Sequence, residues 1–120
     1  TDVAVGPSRE IAVADPARHA VVVFDEFGSP LYSLSTPDTL LPADVVVDRR
    51  GNVIVADARH SRVLLFPPDA GRGQPLSLAT GFSPAALALT NAGEIAALDG
   101  EGGAVSLIEI VYAYDPPIRR

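Results

Sequence analysis

The stretch DRRGNVIVADARHSRVLLF, residues 48–66, decides the fold of this chain. It holds two short apolar segments, VIVAD and RVLLF, separated by polar residues. Short runs rich in β-branched residues between such breaks are typical of strands. Gly51 and Asn52 tolerate positive φ, which indicates a tight turn before the first segment. The stretch therefore predicts a turn followed by two antiparallel strands.

The same pattern recurs once before this stretch and once after it, at equal spacing and without a gap. Internal repeats with a period of about 42 residues outrank single motifs as evidence for a fold. The chain thus contains three copies, at about residues 1–42, 43–84 and 85–114, and a tail at 115–120. The positions that fall in register include Asp15, Asp57 and Asp99; Ile11, Val53 and Ile95; Val21, Val63 and Val105; Phe24, Phe66 and Ile108; and Gly51 with Gly93.

Each copy predicts a small antiparallel meander of four strands. In the second copy these strands are DVVV, NVIVAD, RVLLF and a weaker QPLSLA. Four strands in a period of about 40 to 50 residues are typical of a propeller blade. Pro and β-branched residues in the apolar runs count against a helical solenoid. A plain antiparallel sandwich would explain the short strands but not the ungapped repeat. We therefore expect an all-β chain of β-propeller blades.

The second copy resembles an NHL repeat, a blade type found mostly in six-bladed rings. The residues that carry the resemblance are Asp48, Gly51–Asn52, Val55–Ala56–Asp57, Arg62–Val63 and Phe66. The first copy lacks the turn glycine and has Ala20 at the arginine position. The third keeps Gly93 and Asp99 but has Ala104 at that position. His60 stands where the family usually has Asn.

Three blades leave two sheet faces without a neighbour, because a blade buries its faces against adjacent blades. The third copy runs through AVSLIEIVYAYD and has no recognisable fourth strand. In ring-closing propellers the N-terminal segment often donates that strand. We therefore expect the C-terminal half of a six-bladed propeller. Pairing of two copies into one ring and docking on another protein are the alternatives.

Composition narrows the classes of function. The formal net charge of −6 disfavours a nucleic-acid surface, which needs an excess of Lys and Arg. The absence of Cys removes any disulfide framework or thiolate metal site and leaves the compartment open. No apolar run approaches the length of a membrane-spanning helix.

Several repeat positions predict structural roles. A carboxylate at a strand end usually caps the next turn by accepting backbone N–H groups, which is the role expected of Asp15, Asp57 and Asp99. Arg62 is expected to pack its stem between blades and to pair with a carboxylate. The other structural positions are Phe24, Phe66, Gly51 and Gly93.

The candidate binding surface includes Asp2 and Asp44, which are expected just before the first strands of their own copies, beside the central channel. Calcium would need several oxygen ligands there, and Ala86 at the third register breaks the set. Two further groups complete the surface: Arg18, His19, Arg59 and His60 in inter-strand loops, and Tyr112 and Tyr114 on one face of the last segment. The histidines lack zinc spacing, although lyases built on NHL propellers use channel-facing His as zinc ligands. No catalytic residue, metal site or cofactor is predicted.

These observations favour a non-catalytic protein-interaction or scaffolding module, with a protein partner, the missing blades or a second copy at its open faces. The alternative is part of a six-bladed propeller enzyme, a metal-dependent lyase or hydrolase that uses calcium or zinc and has its catalytic residues outside this segment. RNA recognition, known for some NHL proteins, ranks third because the net charge opposes it.

Overall fold

A computed structural model describes residues 2–68, 75–91 and 93–108 of the chain. These residues form eleven strands in three antiparallel sheets. The one helical segment among them is a single 3-10 turn, Pro16–Arg18. Within the described ranges, no helix has the length and apolar character needed to cross a membrane. The prediction of an all-β chain is confirmed.

The first sheet, blade 1, is a four-stranded meander in which each strand pairs with the next along the chain. The alternation of buried and half-buried residues in its second strand reflects the period of two expected for a strand. Its strands are β1 (Asp2–Val5), β2 (Ile11–Asp15), β3 (Ala20–Phe24) and β4 (Pro30–Leu34).

Blade 2 has the same order, and blade 3 has three strands among the described residues. Residues 109–120 lie outside that part, so the predicted end of the last strand and the tail are not described. The strands of blade 2 are β5 (Pro42–Val47), β6 (Val53–Asp57), β7 (Arg62–Phe66) and β8 (Leu76–Thr80). Those of blade 3 are β9 (Pro84–Leu89), β10 (Ile95–Asp99) and β11 (Val105–Ile108).

The blades pack face to face, and their first strands, β1, β5 and β9, contact one another in succession. One core joins blade 1 to blade 2 and includes Val21, Val23, Val55 and Phe66. A second core joins blade 2 to blade 3 around Ile54 and Ile95, both fully buried. Full burial of each such side chain contributes about 1.5–3 kcal/mol, so the packing between blades is a main source of stability.

The turn at Asp48–Asn52 differs in one respect from the sequence-based expectation. Gly51 has φ of +86°, whereas Asn52 is not at positive φ. Instead, Asn52 is buried and donates from its backbone N to Asp48 Oδ1 and from Nδ2 to Asp48 Oδ2, both at 2.9 Å. The asparagine therefore anchors the turn through its side chain, and the glycine alone supplies the left-handed backbone.

The repeat register shows which sheet faces remain free among the described residues. On blade 2, one face packs on blade 1 and the other packs on blade 3. The equivalent front face of blade 1 has no neighbouring blade, and neither does the back face of blade 3. We name these the front free face (Val3, Val5, Ile11, Val13, Val22 and Phe24) and the back free face (Ala88, Ala96, Leu98, Val105 and Leu107). Val5 is 66% exposed and Leu107 is 63% exposed.

Candidate functional site

Most of the predicted binding residues lie at one end of the sheets. Asp2 pairs with Ala14 at the end of β2, and Asp44 pairs with Ala56 at the end of β6. The β2–β3 and β6–β7 loops, which carry the candidate His and Arg residues, therefore lie at the same end. We name it the aspartate end, defined by Asp2, Asp44 and residues 16–19 and 58–61. The opposite end is the turn end, defined by residues 6–10, 25–29 and 48–52.

The inner-strand aspartates join one blade to the next. Asp2 Oδ2 accepts from the backbone N of Val45, at 3.3 Å, and Asp44 Oδ2 accepts from the backbone N of Leu87, at 2.6 Å. The two bonds have the same sequence separation, so they are one contact repeated at successive blade boundaries. Asp44 Oδ1 also accepts from its own neighbour, Val45 N, at 2.8 Å. The expectation that both aspartates stand just before the first strands is wrong, whereas the predicted strand DVVV correctly includes Asp44. Asp2 begins β1, and Asp44 lies within β5, whose register with β6 is irregular between Pro42 and Asp44.

The two carboxyl groups also influence each other. Burial, followed by a hydrogen bond to Asp2, raises the pKa of Asp44 to about 6. The same contact with Asp44 lowers the pKa of Asp2, assisted by the Val45 N–H. One proton is thus held on Asp44 and shared with Asp2 below about pH 6. Among the described residues, no group of three or more His, Cys, Asp or Glu side chains could hold a metal ion.

Asp57 forms the centre of a second polar cluster at the aspartate end. It is completely buried, and its Oδ1 accepts from the backbone N of Leu41 at 3.1 Å. Its Oδ2 accepts from Arg62 Nε at 2.8 Å and contacts His60 Nδ1 at 2.9 Å. Arg62 also donates from Nη2 to Asp38 Oδ1, at 2.8 Å. Asp57 therefore binds the linker from blade 1, the loop after β6 and the start of β7 together.

Asp38 completes this cluster from the linker between the first two blades. Its Oδ2 lies 3.7 Å from His60 Nε2. The nearby Thr36 hydroxyl and the Arg62 guanidinium lower the pKa of Asp38. The hydroxyl makes no hydrogen bond of standard geometry, so Arg62 is the better-defined cause. Sequence reasoning missed Asp38 because the residue lies outside the repeated strands, where the repeat register gives no signal.

The equivalent aspartates of the other blades make similar but more exposed contacts. Asp15 Oδ1 accepts from Arg18 N at 3.3 Å. Asp99 Oδ1 accepts from Glu101 N at 3.0 Å, and the backbone N–H groups of Glu101, Gly102 and Ser83 lower the pKa of Asp99. Ser83 holds the repeat position of Leu41, so its bond to Asp99 repeats the bond of Leu41 to Asp57.

The remaining candidate residues are dispersed. His19 ends the 3-10 turn with φ of +55°, and its Nδ1 lies 3.1 Å from the carbonyl oxygen of Leu40. Arg18 is exposed and lies 3.5 Å from Asp15, and Arg59 is also exposed. Tyr112 and Tyr114 lie outside the described residues. The structure thus brings together Asp2 with Asp44 and, separately, His60 with Asp57 and Arg62.

Three antiparallel meanders, packed face to face with their first strands adjacent, define a set of β-propeller blades. Residues 39–66 match the family model of the NHL repeat, which confirms the resemblance found in the second copy. No curated protein sequence matches the chain.

Solved structures with the same fold are distant in sequence. Virginiamycin B lyase from Staphylococcus aureus superposes with a TM-score of 0.69 and 12% identity, over 90% of this chain and 40% of that one. A streptogramin B lyase gives 0.69 and 11%, over 93% and 41% of the two chains. Kuenenia stuttgartiensis hydrazine synthase gives 0.65 and 14%, over 89% and 34%. The chain thus spans about two fifths or less of these neighbours, and the likeness shows the fold alone.

Proposed function

We propose that this set of NHL-like blades is a non-catalytic protein-interaction module. The observation that carries the proposal is the repeated bond from an inner-strand carboxylate to the next blade, Asp2 to Val45 and Asp44 to Leu87. These bonds hold adjacent blades in one register, so that loops from different blades form one continuous rigid surface. Preorganised surfaces bind with a smaller loss of conformational entropy than mobile ones.

The polar groups at the aspartate end support the same proposal. The buried carboxylate of Asp57 is used by Arg62, His60 and the Leu41 N–H, all within the chain. A general base must instead lie within hydrogen-bond reach of a substrate proton. Buried ion pairs with satisfied partners are usual in structural networks, and here they fix the connection between blades 1 and 2.

Part of a propeller enzyme is the second candidate. The specific observation in its favour is the pair of Asp2 and Asp44, because the pKa of Asp44 is raised to about 6 and perturbed carboxyl groups are common at active sites. Two solved neighbours of the fold are lyases. In this alternative, Asp44 binds a metal on the channel axis and further ligands come from residues outside this chain.

Metal-dependent stability separates the two candidates. We would measure the Tm of the chain, and of the longest natural protein that contains it, with EDTA, Ca²⁺ or Zn²⁺. If the chain is an interaction module, the Tm of wild type should be the same in EDTA, Ca²⁺ and Zn²⁺. The Tm of Asp44→Asn should likewise not change among the three solutions. The enzyme alternative predicts a rise with one metal that Asp44→Asn abolishes and that the exposed control Glu101→Gln keeps. The interaction module further predicts that a partner purified with the natural protein protects the backbone amides of its loops from hydrogen exchange.

A further inference from the structure

The turn end of blades 1 and 2 carries a cleft, which is separate from the Asp2–Asp44 pair and from the Asp57 cluster at the aspartate end. It has a volume of about 330 Å³ and lies between the two turns of blade 1 and the loop after β7 of blade 2. Its apolar lining comes from Phe27, Leu31, Tyr32 and Pro68, and its carboxylates include Glu10 and Glu26.

Phe27 is the most exposed large apolar residue of the described chain, at 86%. Its position is fixed by the turn that carries it: Asp25 Oδ1 accepts from the backbone N of Phe27 and of Ser29, both at 2.9 Å. Gly28 closes the same turn by donating to the Asp25 carbonyl oxygen at 3.0 Å. The ring is therefore held out in solvent by a well-bonded turn, with Leu31, 54% exposed, nearby in the next strand. Aromatic side chains are enriched in protein interfaces relative to the rest of the surface.

The charges around the cleft are unequal. Among the described residues that line it, three carry carboxylates, Glu10, Asp25 and Glu26, and none carries a cation; Arg9 approaches only through its contact with Glu26. Arg9 Nη1 binds Glu26 Oε2 at 3.0 Å, but both side chains are exposed, so the pair is weak and exchangeable. The charge of Glu10 also contributes, after burial, to the raised pKa of Tyr32. The cleft therefore combines an apolar floor with a negative potential that favours cationic groups.

We propose that this cleft binds a basic segment of a partner protein, in which an Arg or Lys side chain alternates with apolar residues. The cation contacts Glu10 and Glu26, and its stem lies against Tyr32 and Pro68. A neighbouring apolar side chain packs on Phe27 and Leu31. An Arg guanidinium suits the site, since it pairs with carboxylates and stacks on aromatic rings. This inference rests on the proposed interaction function and assigns it one surface and one class of partner.

The test uses the full 120-residue chain and a fluorescent octapeptide of alternating Arg and Leu, with binding followed by anisotropy. An octapeptide of alternating Glu and Leu serves as the charge control. We expect Phe27→Ala to weaken binding of the basic peptide at least about tenfold and Glu10→Gln at least about threefold. The matched controls are Leu76→Ala, an exposed leucine on blade 2, and Glu101→Gln, an exposed acid on blade 3; both should bind within about twofold of wild type.

Three results would overturn the inference: equal binding of the acidic peptide, wild-type affinity of Phe27→Ala, or equal weakening by Glu10→Gln and Glu101→Gln, which would indicate general charge attraction. Its failure can be distinguished from failure of the proposed function. A natural partner that protects only the aspartate end or the free faces contradicts the cleft and leaves the interaction module intact. A metal-dependent Tm carried by Asp44 contradicts the module and does not depend on peptide affinity.

Discussion

Asp44 Oδ2 accepts a hydrogen bond from the backbone N of Leu87, in the next blade, at 2.6 Å. One carboxylate thus connects the inner strands of two successive blades, as Asp2 does one blade earlier. Blade 3 has Ala86 at the corresponding position and cannot repeat the bond. The polar part of the contact between blades therefore depends on the protonation and identity of single side chains, which can be changed one at a time.

Stability should fall as the pH rises through the range in which Asp44 ionises. Its pKa is about 6 in the folded chain against an ordinary value of 3.8, so the folded state holds this proton more tightly than the unfolded state. The contribution is complete below about pH 4 and is lost as the pH rises through about 6. After discounting for solvent screening, we expect about 1 kcal/mol. Urea unfolding between about pH 4.5 and 7.5 measures it.

Asp44→Asn is the matched variant for this prediction. The amide is neutral at every pH and keeps an oxygen for the Leu87 N–H, so the decrease in stability over the same pH range should shrink in the variant. The lowered pKa of Asp2 acts in the opposite sense and only below about pH 4, where protonation of Asp2 removes stability. An identical pH profile in Asp44→Asn and wild type would show that Asp44 is not the responsible group.

Asp57→Ala should destabilise the chain by about 3 kcal/mol, because it leaves Arg62 and the Leu41 N–H without their buried acceptor. Asp99→Ala is the control at the same repeat position, where the surroundings are open and the loss should be smaller. Chemical unfolding of the two variants beside wild type gives the comparison. Equal losses would mean that the cap shared by all blades, and not the buried cluster of blade 2, determines the stability.

The fold could be predicted because its cause is local and repeated. Period-two apolar segments give the strands, and their ungapped, equal spacing gives the blades. The contacts between blades were harder to predict, since Asp44 meets Leu87 only after two sheets have packed in one register. Phe27 was missed for a related reason: it lies between two strands, in the polar segment DEFGS, where the repeat register gives no signal for an exposed aromatic ring. The partners of Asp38 likewise depend on a linker that follows no repeat.

Gly51→Ala should destabilise the chain by more than Gly28→Ala. The two glycines have nearly the same backbone, with φ of +86° and +87°, so each substitution carries a similar conformational strain of about 1 kcal/mol. A Cβ at Gly51 would also lie 3.3 Å from Pro68 Cβ, whereas a Cβ at Gly28 meets nothing within 4 Å. The difference in Tm between the variants isolates the added contact. Equal Tm values would show that Pro68 moves without cost.

The free faces should associate with each other, because they reproduce the two sides of an existing interface. The back free face holds the repeat positions of the blade 2 residues that pack on blade 3, and the front free face holds those of the residues that pack on blade 1. At micromolar concentration we therefore expect the chain to have a native mass above 12.5 kDa and a Tm that rises with concentration. Leu107→Glu places a charge on the back free face and should lower the native mass, whereas Leu76→Glu, outside both faces, should not. A monomer at all concentrations, or equal effects of both variants, would contradict association through these faces.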